Sequence, residues 1–213
     1  MKRNSMYLIA LAAAVCLLAA GCGKEAAKTV PETTAAAEIT AAAGQDDADE
    51  LHHIVIQIKD YGTIRVELDA AAAPITVENF RKLAESGFYD GLTFHRIIEG
   101  FMIQGGDPLG TGMGGSEEKI TGEFKNNGVD NPISHVRGTI SMARAQDYNS
   151  ASSQFFIVQK DSTFLDGDYA AFGKVTEGME IVDQICKDVQ VEDNNGTVLA
   201  ENQPVIESIK VED

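Results

Sequence analysis

The sequence predicts a mainly β fold, a closed antiparallel β-barrel with two α-helices, in one domain that follows an N-terminal stretch of different composition. Short runs of alternating apolar residues recur from His53 to Val211, separated by Gly-rich turns. Only two segments carry apolar residues at helical spacing. There is no internal repeat, and none of the strand–helix alternation that a parallel sheet requires.

The elements follow in order. Ile54, Ile56 and Ile58 alternate with polar or small neighbours, as do Ile64, Val66 and Leu68. Asp60-Tyr61-Gly62 between them makes a hairpin. After Pro74 the period changes: Val77, Phe80, Leu83 and Ala84 define a helix that stops at Gly87. Short strands are then expected at Leu92–Ile98, Met102–Gln104, Gly138–Ala143, Phe155–Gln159 and Ala171–Val175. A second helix over Gly178–Lys187 puts Met179, Val182, Ile185 and Cys186 on one face. Asn194-Asn195-Gly196 is a turn, and Ile206, Ile209 and Val211 form a last extended segment.

The chain has 213 residues and a formal net charge of −16. Such a field repels phosphate backbones and anionic headgroups, which excludes nucleic-acid binding by a basic surface and membrane adsorption through basic patches. Of the three cysteines, Cys16, Cys22 and Cys186, only Cys186 falls in the domain, so no disulfide forms within it. Cys186 reads as a small buried apolar residue on the second helix.

Lys2 and Arg3 precede an uncharged apolar run, Met6 to Ala20, with the length of a signal-peptide core rather than a membrane span. It ends in Leu18-Ala19-Ala20-Gly21-Cys22, which resembles a bacterial lipoprotein signal, with Leu18 one place further from the cysteine than usual. The resemblance implies removal of residues 1–21 and lipidation of Cys22, an anchor of more than one acyl chain. Gly23 to Glu50 is Ala, Thr, Glu and Asp with almost nothing bulky to bury, hence a flexible tether. The expected organisation is signal 1–21, tether 22–50 and domain 51–213, held by its lipid on the outer face of a bacterial cytoplasmic membrane.

Three blocks stand out: FHRIIEGFMIQGGD from Phe94, SMARAQDYNSASSQFFIVQ from Ser141 and FLDGDYAAFGKV from Phe164. In this order and spacing they resemble the cyclophilins, over residues 53–211. That family folds as an eight-stranded antiparallel barrel with a helix over each open end. The resemblance implies a peptidyl-prolyl cis/trans isomerase that acts on proline-containing polypeptides as a monomer, without cofactor or metal.

By the same resemblance, Arg96, Phe101 and Gln104 are catalytic, Arg96 aiming a permanent charge at the proline nitrogen. Phe101, Met102, Phe156 and Leu165 form the apolar slot for the proline ring. Gln104 and Gln154 bond the substrate backbone and orient Arg96. Ala143-Arg144-Ala145 is the edge along which the peptide lies, and Gly110, Phe164 and Tyr169 complete the binding set. Phe155 falls on the opposite, core face by strand alternation.

The chain departs from the family at several places. Phe164 replaces a frequent Trp, removing an indole donor, and Tyr169 stands where animal members carry His. Glu99 replaces a frequent Pro, Arg144 puts a charge beside the groove, and the loop at Gln146–Ser150 has one extra residue.

Other patterns are weaker. Gly110 to Gly115 satisfies GxGxxG, but Ser116-Glu117-Glu118 follows where a phosphate site needs a helix start, so it reads as a flexible loop beside the groove. His52 and His53 point apart on a strand, which argues against a metal site. His95 is expected on the face opposite Arg96. The rival to the enzyme is a non-catalytic prolyl-peptide-binding chaperone or surface module; Arg96 together with a complete slot favours the isomerase.

Overall fold

A computed structural model describes residues 51–212. The assignments made above for residues 1–50, Cys22 among them, lie outside the described residues. The elements are β1 (Leu51–Ile58), β2 (Gly62–Asp69), α1 (Pro74–Glu85), β3 (Phe94–Ile98), β4 (Met102–Gly105), β5 (Thr139–Met142), β6 (Phe155–Val158), β7 (Ala171–Glu177), α2 (Met179–Asp188) and β8 (Ile206–Val211). The eight strands form one sheet in the order β3-β4-β6-β5-β7-β2-β1-β8.

The β1–β2 hairpin pairs Ile54 with Val66 and Ile56 with Ile64, all buried. One face of this alternation therefore supplies core, as period two requires. Its turn uses Asp60 at φ 65° and Gly62 at φ 119°, conformations open to a short polar residue and to glycine. Phe80 of α1 anchors the interior. Its ring lies 4.9 Å from Tyr89, 5.3 Å from Phe155 and 5.2 Å from Phe172. On α2, Val182, Ile185 and Cys186 face inward, as the spacing predicts.

The closure expected from the sequence is incomplete. β3 and β8 are the two edges of the sheet and share no ladder. They meet through the isolated bridge Thr93↔Val205 and through Ile206, whose N–H donates to Leu92 and whose carbonyl accepts from Gly91. Edge groups are thus largely covered without a continuous strand pair.

The sheet has apolar side chains on both faces. The interior cluster takes Phe94, Ile97, Ile103, Phe155 and Ile157; a second cluster takes Met102, Phe156 and Val158 from the other side of the same strands, with Leu165 added from a 3-10 turn after β6. Alternation along β4 and β6 thus builds the core and, back to back with it, the floor of a surface groove.

Candidate active site

Strand register assembles the groove. Arg96 of β3 pairs with Gln104 of β4, Gln104 with Phe156 of β6, and Phe156 with Ser141 of β5. These four side chains form one row across four strands, because directly paired residues share a face. Around the row opens a groove of about 340 Å³ lined by Arg96, Phe101, Met102, Gln104, Phe156 and Leu165. Gly110, Ala143, Arg144 and Tyr169 also line it.

Arg96 is fixed at two atoms. Its Nε donates to the Asn195 carbonyl at 2.8 Å and one terminal nitrogen to Gln104 Oε1 at 3.2 Å. Gln104 Nε2 in turn donates to Gln154 Oε1 at 2.8 Å. Burial pulls the Arg96 pKa down while Tyr169 and Asp193 push it up, and the net is downward. A guanidinium nevertheless keeps its proton in a protein.

Behind the slot lies a polar chain. His135, fully buried, places Nδ1 2.9 Å from Asp166 Oδ1 and Nε2 3.0 Å from Ser141 Oγ. Its ring stacks on Phe156, with centroids 6.0 Å apart. The connectivity is that of a Ser–His–carboxylate triad, but Ser141 has no exposed surface and meets no substrate. The chain supports the Phe156 ring. Burial, outweighing the Asp166 contact, holds the His135 pKa below the usual histidine value.

The family model for the cyclophilin type peptidyl-prolyl cis-trans isomerases matches residues 53–211. The chain belongs to that family. Peptidyl-prolyl cis-trans isomerase A of Dickeya dadantii is 44% identical over 156 residues, covering 70% of this chain and 80% of its own. Isomerase B of Bacillus subtilis is 46% identical over 140 residues, covering 63% and 94%. A Cryptosporidium parvum cyclophilin of 30% identity superposes with a TM-score of 0.68, covering 77% of this chain and 99% of its own. The same protein solved in the presence of the dipeptide Ala-Pro gives 0.66 at 31% identity.

The cyclophilin brings most of the sequence-predicted site residues into one groove. Three stand apart from its lining. Gln154 bonds Gln104 and, through Nε2, the carbonyls of Gly112 and Gly114 at 3.1 and 2.7 Å, so it braces the site from behind. Phe164 is 72% exposed, at the rim, its ring 5.6 Å from Phe101. Ala145 is exposed, and its N–H is taken by Ser150 Oγ at 3.0 Å.

Two sequence expectations need correction. His95 is not turned away from Arg96: it lines the same groove. The β3–β4 register shifts between Phe94 and Arg96, leaving His95 as the extra residue of a bulge, which breaks strict alternation. Nor is the glycine-rich loop a loose one. The buried Asp107 carboxylate accepts from the N–H groups of Leu109 (2.8 Å), Thr111 (3.0 Å) and Gly112 (2.6 Å), and Gln203 Nε2 donates to Gly110 at 2.9 Å. Burial raises the Asp107 pKa, but these backbone donors outweigh it and hold it below the usual carboxylate value. Gly110 sits at φ 63°, where an added Cβ would come 2.9 Å from Gln203 Oε1.

Sequence reasoning missed His95, Thr111, Gly112, Asn195 and Thr197, all of which line the groove. Asn195 carried a turn signal. That this turn meets Arg96, 99 residues away in sequence, is a tertiary fact with no local signature.

Proposed function

We propose that this cyclophilin is an exported, lipid-anchored monomer that accelerates X–Pro isomerisation in newly translocated proteins at the outer face of a bacterial cytoplasmic membrane. The chemical half rests on one observation: a two-point-anchored guanidinium shares a groove with the apolar side chains of Phe101, Met102, Phe156 and Leu165.

Turning an X–Pro amide means losing resonance worth roughly 18–20 kcal/mol of barrier. Each ~1.4 kcal/mol removed gives about tenfold, so moving from tens of seconds to milliseconds takes roughly 5–6 kcal/mol. No nucleophile or proton acceptor is needed, only a site that fits the twisted amide better than either planar form. In the twisted state the proline nitrogen becomes pyramidal and recovers a lone pair. Arg96 donates to that lone pair and has no comparable acceptor in either planar state. Phe101, Met102, Phe156 and Leu165 hold the ring while the acyl side turns. Gln104 keeps the guanidinium in line, and the Tyr169 hydroxyl, unbonded among the described residues, is available to the peptide. That the solved relative was crystallised in the presence of the dipeptide Ala-Pro supports a proline-containing ligand for this cyclophilin.

The cellular half rests on Leu18-Ala19-Ala20-Gly21-Cys22 and its likeness to a lipoprotein signal. The acidic, weakly apolar stretch from Gly23 to Glu50 supports a tether that lets the domain reach its clients.

Exchange NMR on an Ala-Pro peptide tests the chemistry. Arg96→Ala should lose about a hundredfold or more in kcat/KM. Full activity in that variant would overturn the role of Arg96, while retained peptide binding with no catalysis in the wild type would select a chaperone. Cys22→Ser should move the protein from the membrane to the soluble fraction; its retention in membranes would overturn the anchor.

A further inference from the structure

The described arginines divide by position. Outside the groove, Arg65 pairs with Glu177 and Glu212, Arg81 with Glu85, and Arg137 with Asp183. Inside it, Arg96 and Arg144 have no carboxylate within 4.0 Å among the described residues, and no Asp or Glu lines the groove. In a chain with 33 acidic residues against 17 Lys and Arg, these two guanidiniums thus differ from the other described arginines in lacking a carboxylate partner.

Arg144 is also rigid. Its guanidinium carbon lies 5.1 Å from the ring centre of Phe124, 4.9 Å from Tyr148 and 4.8 Å from Tyr169. Nε donates to Asp168 O at 2.9 Å, and one terminal nitrogen to Ala145 O at 2.9 Å and Gln146 O at 3.3 Å. The other terminal nitrogen, Nη2, has no hydrogen bond among the described residues. These cation–π contacts and carbonyl bonds orient the charge without neutralising it.

The backbone points the same way. Ala143 N–H donates to Gln154 O at 2.9 Å, and Ala145 N–H to Ser150 Oγ at 3.0 Å. Of residues 143–145, Arg144 alone keeps both its N–H and its C=O unbonded among the described residues. An extended peptide can therefore exchange both bonds with residue 144, and the client residue so paired sits directly beside the Arg144 side chain. Opposite charges in such a pair attract and like charges repel.

We propose that Arg144 is a specificity-determining residue that selects clients with an acidic side chain within two residues of the isomerised proline. This rests on the isomerase reading above. The domain's overall negative field opposes acidic clients at long range, but it is screened beyond about 8–10 Å in physiological salt, so the contact pair decides.

The test uses the full-length protein and exchange NMR on alanine hexapeptides containing one proline. Glu, Gln or Lys replaces in turn the first or second residue before the proline, or the one after it. At one position Glu should exceed its isostere Gln by about threefold to fivefold in kcat/KM at low salt, and exceed Lys by roughly tenfold. The Glu:Gln ratio, read within each protein so that general losses cancel, should approach one in Arg144→Gln and in about 0.5 M salt. Arg144→Lys should retain part of it. Equal rates for Glu and Gln at every position in the wild type would overturn the inference, as would an undiminished preference in Arg144→Gln. Should Arg144→Gln fail to fold, the wild-type salt series and Arg144→Lys decide. Failure of the wild type to accelerate the all-alanine proline peptide would instead sink the underlying isomerase reading.

Discussion

Arg96 was legible in the sequence because it stands inside a long motif, but the means of holding it was only half legible. Gln104 follows from strand pairing eight residues on; the Asn195 carbonyl does not, since nothing local to either residue reports the contact. The two anchors make a graded prediction. Gln104→Leu removes one hydrogen bond to a charged group and leaves the Nε anchor, so kcat/KM on an Ala-Pro peptide should fall by about tenfold, well short of Arg96→Ala. Equal losses in the two variants, at unchanged thermal stability, would mean that Asn195 contributes nothing to orientation. His95 shows why residue-level reading stops where it does. Period two assigns its face correctly only in an unbroken ladder, and a one-residue bulge has no composition to announce it.

At the scale of elements, all eight strands and both helices were visible as periodicity, with boundaries displaced by one or two residues. What the periodicity does not carry is how an element is terminated. Helix α1 begins at Pro74 with no side-chain cap from Ala73, and its first donors are met instead by Glu123, from a loop 47 residues further on. The Glu123 carboxylate, buried, accepts from Ile75 N–H at 3.0 Å, Thr76 N–H at 2.7 Å and Thr76 Oγ1 at 2.6 Å. It does the work of an N-cap and adds a negative charge at the positive end of the helix. Glu123→Ala orphans the buried amide and hydroxyl of Thr76 and the partly buried amide of Ile75, and should destabilise by about 2–3 kcal/mol, lowering the Tm by roughly 5–10 °C. Glu123→Gln, which keeps an acceptor oxygen, should recover much of this. A thermal scan in which alanine and glutamine variants melt together with the wild type would exclude the capping role.

For the whole molecule, titratable groups whose pKa values are displaced by the fold constrain stability in pH, and their signs combine. His95 and His135 are buried, and burial sets both pKa values below the usual 6.5. Between that value and their lower folded ones the unfolded chain binds more protons, so stability falls as pH drops below about 6.5. Asp107 and Asp166 also have lowered pKa values, their hydrogen bonds outweighing burial, and they extend the loss below about pH 4. On the alkaline side, burial pushes the Cys186 thiol up to about 12 and the Tyr89 phenol well above its ordinary value. There the folded chain holds protons that the unfolded chain releases, so stability falls as pH rises past about 9. The expected profile is a plateau from about pH 7 to 9 with a decline on either side. Each histidine caps its share of the acid slope at ~1.4 kcal/mol per pH unit. Urea midpoints measured from pH 5 to 10 at fixed ionic strength check this, and His135→Gln should flatten the arm between pH 5 and 7. A wild-type midpoint that holds constant down to pH 5 would mean that these two imidazoles accept protons as readily in the folded cyclophilin as in the unfolded chain.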